Sequence, residues 1–365
     1  YRIGENRTGM KYGLIYYRDT DNLGDDILSY AGRRFLPKVD YYIDRESMDV
    51  FVPEEKEFVA AILNGWYIHY SYAFPPSPYL APLWIGAHFN KDGTIFGEYN
   101  YLDAYAVRYF KQHEPVGCRD HKTMEMLCEK GVEGYFSGCL TLTLPKFPDV
   151  SPSHEVIFTD VSDEIVSYVN RLDTGRGTVQ LTHLLPETER GWEDWQSREM
   201  RLESYLRRYQ GADLVITRRL HCALPCIALG TPVILVVNQD EDYFDRIESF
   251  SSYCTCCSEE DLLSGRMDEA IKNPLPNRRP DRLIEQMEET VRAFVKRMEN
   301  GEETDALLPE TSVYQELYID RGNSLREAIR ILLQRQYSLA AQYKQDMDTM
   351  QQVLALAKKI TDSGS

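Results

Sequence analysis

The chain has 365 residues, 43% of them hydrophobic and 12% aromatic with 25 tyrosines, which is more than one hydrophobic core usually serves and fits two packed domains. Its formal net charge of −17 opposes general binding to nucleic acid or to an anionic membrane surface. An anionic small molecule is not excluded, because charges beyond roughly 8 Å are screened at physiological salt and a local arginine cluster outweighs a distant average.

Residues 1–9 carry no periodic pattern and Met10-Lys11 opens a strand, so 1–9 read as a remnant ahead of a natural start. Tyr12 to Tyr17 is a first strand, and Asp19 to Asp26 a polar turn containing Asn22-Leu23-Gly24-Asp25. Ile27 to about Phe35 is a helix, with Asp25 or Asp26 as its cap. Tyr41-Tyr42-Ile43 and Lys56 to Leu63 suit further strands, the latter ending in the loop Asn64-Gly65-Trp66. The prolines at 75, 76, 78 and 82 predict a long loop region over 71–100. Pro115 to Asp120 is a short strand ending in the pair Arg119-Asp120. A helix follows over 121–130 with a stop at Gly131, and Asp120 is placed to cap it.

Another strand and turn run from Gly134 to Leu144, and a proline-rich hinge over 146–153 divides the chain. A second series of strands and helices follows: strand Glu155 to Thr159, helix Glu164 to Leu172, strand Thr178 to Leu181, helix Glu199 to Gln210, strand Leu214 to Ile216, helix 223–230, strand Val233 to Val237 and helix Leu283 to Asn300. The expected domains are 10–150 and 151–305, both α/β and Rossmann-like, facing a cleft, with a helical tail over 306–365. Tyr343, Met347, Met350, Leu354 and Ala357 in that tail are spaced for a coiled-coil seam over 324–360 that would make a homodimer, or for a helix folding back on its own domain.

Eight cysteines with no signal segment and no 18-residue apolar run point to a reducing cytoplasm, with no membrane span. Cys254-Thr255-Cys256-Cys257 lacks the second ligand pair of a zinc site, so no metal is expected. Cys222 and Cys226 read as small core residues.

The densest chemistry lies in Arg218-Arg219-Leu220-His221, where the buried strand Leu214-Val215-Ile216 meets a helix that ends at Gly230-Thr231-Pro232. Carboxyl ends of strands and amino ends of helices collect phosphates and carboxylates in open α/β sheets. Arg219 is the candidate ligand, and Arg218 either the ligand in its place or a salt-bridge partner outside the cleft. A histidine here acts as an acid or packs as a cap.

Asn22-Leu23-Gly24-Asp25, Val116-Gly117-Cys118-Arg119-Asp120 and Arg219-Leu220-His221, in this order over roughly residues 10–300, resemble the polysaccharide pyruvyl transferase family. The resemblance implies a fold like the GT-B glycosyltransferases and transfer of a pyruvyl group from phosphoenolpyruvate, a donor substrate rather than a cofactor, to a sugar of a cell-surface glycan as a cyclic ketal. The acceptor implied is a glycan or lipid-linked saccharide. By position Arg119, Arg219 and His221 would belong to the donor site, with Leu220 between the last two and Arg218 as a further candidate, and the chemistry of ketal formation would make His221 the acid. Asp25 would be the base that takes a hydroxyl proton, and Asn22 and Gly24 would face the acceptor. Asn64, Trp66, His69 and His88 would line a sugar pocket or simply pack. Two other readings stand beside this one: a nucleotide-sugar glycosyltransferase with the donor diphosphate on Arg219 and His221, and a non-catalytic interaction module of glycan assembly.

Overall fold

The computed structural model describes residues 9–55, 57–67, 74–89, 102, 104–186, 194–237 and 247–301, together with Met347 and Met350. The first half contains β1 (Lys11–Tyr16), α1 (Leu23–Arg33), β2 (Tyr41–Asp44), β3 (Val59–Tyr67), β4 (Leu80–Phe89), α2 (Ala104–Gln112), β5 (Val116–Cys118), α3 (His121–Glu129) and β6 (Gly134–Phe136). Its six strands form one parallel sheet in the order β2-β1-β3-β4-β5-β6.

The second half contains β7 (Glu155–Thr159), α4 (Asp163–Asn170), β8 (Gly177–Leu181), α5 (Trp195–Gly211), β9 (Leu214–Thr217), α6 (Leu220–Leu229), β10 (Val233–Val236) and β11 (Thr255–Cys257). They make a five-stranded parallel sheet ordered β11-β10-β9-β7-β8. In each sheet the order reverses beside the first strand, β1 in one and β7 in the other, and such reversals open a crevice at the strands' carboxyl ends. The architecture is therefore α/β with two Rossmann-like halves. Two short helices, α7 (Glu259–Leu263) and α8 (Asp268–Lys272), precede the long α9 (Asp281–Asn300).

One apolar core runs between the sheets. It joins Tyr12, Leu14 and Ile27 of the first half to Ile157, Leu202, Val215 and Ile227 of the second, while separate clusters cover the outer face of each sheet. α9 follows the second half in the chain but packs back on the first, against β3, β4 and the 3-10 turn Leu140–Thr143. Its Glu288 pairs with Arg34 just beyond α1 at 3.5 Å.

Three expectations need correction. β4 occupies the stretch read as loop, because Pro82 pairs with Ala61 of β3 on one side while β5 meets β4 only at Ala87, so the missing proline N–H falls where that edge is uncovered. The helix after β1 starts at Leu23 rather than Ile27, since Asn22 caps it by accepting from the Gly24 N–H at 3.0 Å; neither Asp25 nor Asp26 is the cap. α6 starts at Leu220, three residues earlier than expected, which makes Arg219 the residue at its cap position. The cysteine-rich stretch supplies edge strand β11, with the Cys254 and Cys256 sulfurs 3.9 Å apart.

Among the described residues no helix is long and apolar enough to cross a membrane. Met347 and Met350 are helical; the remainder of 302–365, with the dimer seam expected there, lies outside the described residues, as does His69.

Beyond α2, the His113 ring stands 4.5 Å from that of Tyr109, and burial pushes its pKa from 6.5 down to about 4. An unfolded chain takes up this proton near pH 6.5 and the folded chain only near 4, so the residue contributes stability above pH 6.5 that is lost as the pH falls toward 4. His113→Phe is expected to spare about 1–2 kcal/mol of the acid loss between pH 7 and pH 5, read from urea unfolding at both values. An equal acid loss in the two proteins would refute this.

Candidate active site

The acidic turn of the first half and the Arg-Leu-His segment of the second meet. The Leu23 N–H donates to the His183 carbonyl at 2.8 Å and the Leu185 N–H to that of Asp21 at 2.7 Å, with an antiparallel bridge between Asn22 and Leu184. His221 lies directly against the turn: a Cβ placed on Gly24 would come within 3.2 Å of the His221 Cβ and 3.4 Å of its Nδ1. A side chain there would be in tight contact with His221 and with Asn22 Oδ1, also 3.2 Å away, so close approach and not backbone conformation favours glycine.

Arg219 follows β9, and its backbone N–H donates to Thr217 Oγ1 at 2.9 Å. Its side chain is 31% exposed, and Nε donates to Asp160 Oδ2 at 2.7 Å. The two terminal nitrogens have no protein partner among the described residues, and no side chain caps the amino end of α6. A planar nitrogen pair beside an uncapped helix end is suited to grip a carboxylate or phosphate bidentately. Leu220 is the first residue of α6, partly buried against the common core. Arg218 turns to Glu259, which also accepts from Ser162.

Asp25 lines a small hollow at the carboxyl ends of β1, β2 and β3, together with Tyr17, Arg45, Asn64 and Tyr67. Its Oδ1 accepts from Arg45 at 3.1 Å and its Oδ2 from the Thr20 hydroxyl at 2.7 Å. Arg45 is buried, stacks 4.3 Å from the Tyr17 ring centroid and also holds Glu46 at 2.9 Å. Burial raises the Glu46 carboxyl to about 7 against the opposing charge of Arg45. Asn64 spends its amide internally, donating to the Leu28 carbonyl at 3.1 Å and accepting from the Leu140 N–H at 3.4 Å, so it ties β3 to α1 and to the 3-10 turn.

A third group sits at the ends of β3, β4 and β5. Asp120 caps α3, accepting from the Thr123 N–H at 2.9 Å, and holds His88 Nδ1 at 2.6 Å. Burial pushes the Asp120 carboxyl up, but His88, Arg119 and the Thr123 N–H pull it further the other way, leaving it below the usual range. The Trp66 ring stands 6.4 Å from that of His88. Arg119 is only 2% exposed, with its backbone N–H on the Ala87 carbonyl and its Nε 3.8 Å from Asp120. It is thus enclosed at its strand end, in contrast to Arg219.

Sequence reasoning passed over Asp160, Arg45 and Arg198. The first two were visible as the charges immediately following a strand, at Thr159-Asp160 and at Asp44-Arg45. Arg198 gave no local signal, because its partners lie far away in the first half: Asp26 at 3.1 Å, the Tyr17 carbonyl at 3.0 Å and the Arg18 carbonyl.

No curated protein matches the chain. Among solved structures it is similar to one described as a functional uncharacterized protein, KP1_0663, from Klebsiella pneumoniae subsp. pneumoniae NTUH-K2044. The identity is 14% over 66% of this chain and 88% of that one, with a TM-score of 0.33. The family model for polysaccharide pyruvyl transferase matches residues 22–240, more than half of the chain and a span that holds both the acidic turn and the Arg-Leu-His segment. The chain belongs to the polysaccharide pyruvyl transferase family, and is a transferase.

Proposed function

We propose that the protein transfers the pyruvyl group of phosphoenolpyruvate to two hydroxyls of one sugar in a cell-surface glycan or its lipid-linked precursor, forming a cyclic ketal and releasing phosphate. The observation that carries this reading is Arg219 at the amino end of α6, whose terminal nitrogens have no protein partner among the described residues and whose own side chain makes no cap. Phosphoenolpyruvate offers two anionic groups of the shape that a guanidinium fork matches. The methylene carbon gains a proton, one sugar hydroxyl attacks C2, the C2–O bond to phosphate breaks, and the second hydroxyl closes the ring. The two hydroxyl protons are thereby passed to the methyl carbon and to phosphate.

His221, set against the acidic turn, is the proton donor in this scheme, and Asp25, lining the hollow at the strand ends, takes a hydroxyl proton. The Leu220 N–H, in the first turn of α6, adds to the anion's partners. Asn22 and Gly24 shape the acceptor side, and Trp66 and His88, at the ends of β3 and β4, serve the sugar.

Thermal denaturation of the purified chain with phosphoenolpyruvate, and in parallel with a panel of nucleotide sugars, tests the donor. A ligand at 100 times its dissociation constant stabilises the fold by about 2.7 kcal/mol, a shift that is readily measured. The expected result is a rise in melting temperature with phosphoenolpyruvate only. A rise with nucleotide sugars alone would replace this reading by a glycosyltransferase, and silence toward every donor would favour an interaction module.

A further inference from the structure

Asp160 directly follows β7, at the point where the strand order of the second sheet reverses. Its backbone is left-handed, with φ 52°, a conformation that costs a non-glycine residue about 1 kcal/mol or more and that aspartate tolerates better than most. That conformation brings the carboxylate between the loops after β8 and β9. Oδ1 accepts from the Thr182 hydroxyl at 2.6 Å, and Oδ2 accepts from the His183 N–H at 3.0 Å and from Arg219 Nε at 2.7 Å. The same His183 receives the Leu23 N–H on its carbonyl, so a single carboxylate ties the Arg-Leu-His segment to the loop that holds the acidic turn. Burial raises its pKa, and the three donors lower it further, so it is ionised at neutral pH.

A guanidinium tethered through Nε alone has lost the freedom of its last torsions while keeping both terminal nitrogens available. Two arginines adjacent in sequence differ in this respect: Arg218 meets Glu259 through a terminal nitrogen, Arg219 meets Asp160 through Nε. We propose that Asp160 is a positioning residue, which holds Arg219 by its Nε edge so that the terminal nitrogen pair faces the anion of the donor. This rests on the phosphoenolpyruvate reading above.

The test is the dissociation constant for phosphoenolpyruvate, measured by titration calorimetry on the full chain for wild type, Asp160→Asn, Arg219→Ala and the double variant. Asparagine suits the left-handed backbone and retains an acceptor for the His183 N–H, but not the charge that holds Nε. Asp160→Asn is expected to weaken donor binding about tenfold, with a melting temperature close to wild type, and to add nothing in the Arg219→Ala background. Asp160→Gly, which also suits the backbone, is expected to weaken it at least as much.

A purely structural role would lower affinity to the same degree with or without Arg219, and that result overturns the proposal. Unchanged affinity in Asp160→Asn and Asp160→Gly overturns it as well, while wild-type binding leaves the donor reading intact. A wild-type chain that takes no phosphoenolpyruvate overturns the donor reading, and this proposal with it.

Discussion

Arg219→Ala is expected to fold like the wild type and to lose roughly 100- to 1,000-fold in kcat/KM, the range set by removal of one preorganised anion-binding group. The side chain is about one-third exposed and is held at its Nε, so truncation removes little packing. What is lost is the nitrogen fork, and with it the charge-assisted pair on a carboxylate or phosphate. Arg219→Lys should recover only a small part, because an ammonium is a point charge that cannot hold Asp160 and grip an anion bidentately at the same time. Phosphate release from phosphoenolpyruvate, followed alongside a circular-dichroism melt, checks both statements. Turnover within threefold of wild type in Arg219→Ala would move the donor grip elsewhere, with Arg119 the first alternative.

The second large effect concerns stability. Asp26 is buried on α1, 3.1 Å from Arg198 and 3.6 Å from Arg201 on α5. Burial lifts its carboxyl to about 6 against the pull of Arg198, so at neutral pH it is ionised and faces two guanidinium groups. Asp26→Ala leaves those charges buried without their counter-ion, and removal of one partner from such a pair costs about 3–5 kcal/mol. Arg198 also donates to the carbonyls of Tyr17 and Arg18, which lead into the acidic turn, so the loss should appear in activity at temperatures where the variant is still folded. Urea unfolding at pH 7.5 measures the first effect. Asp26→Asn, which keeps an acceptor, should lose less. A midpoint for Asp26→Ala equal to that of wild type would mean that the arginines find solvent or other partners at no cost.

Much of the donor half could be read from the chain. Leu214-Val215-Ile216 is β-branched and apolar enough to be a covered strand, and Gly230-Thr231-Pro232 ends the helix after it, so Arg219 and His221 had to fall near the junction. The helix begins sooner than its apolar pattern suggests, because Arg219 at the cap position and Leu220 in the first turn are set by the strand end, not by periodicity. The long strand β4 was hidden by proline, which marks a loop unless one edge of the strand is left uncovered, and strand pairing is not a local property. Asn64 ties elements together; its two partners, Leu28 and Leu140, come from distant stretches of chain. The Arg198–Asp26 contact spans 172 residues and is a product of packing alone. Asp160 was within reach, as a carboxylate at the end of a buried strand, but its partnership with Arg219 required both strand ends to be known to be neighbours.

The return of α9 to the first sheet has a consequence for how such a chain can be cut or recombined. A fragment ending in the hinge over 146–153 would lack the helix that covers β3 and β4, and would also lose Arg198 from beneath its acidic turn. The second half made alone would carry an amphipathic α9 with no surface to cover. Neither half is a free-standing module, so a chimera that exchanges one of them between relatives must bring α9 with the first sheet and keep the Asp26 and Arg198 pair matched across the new seam.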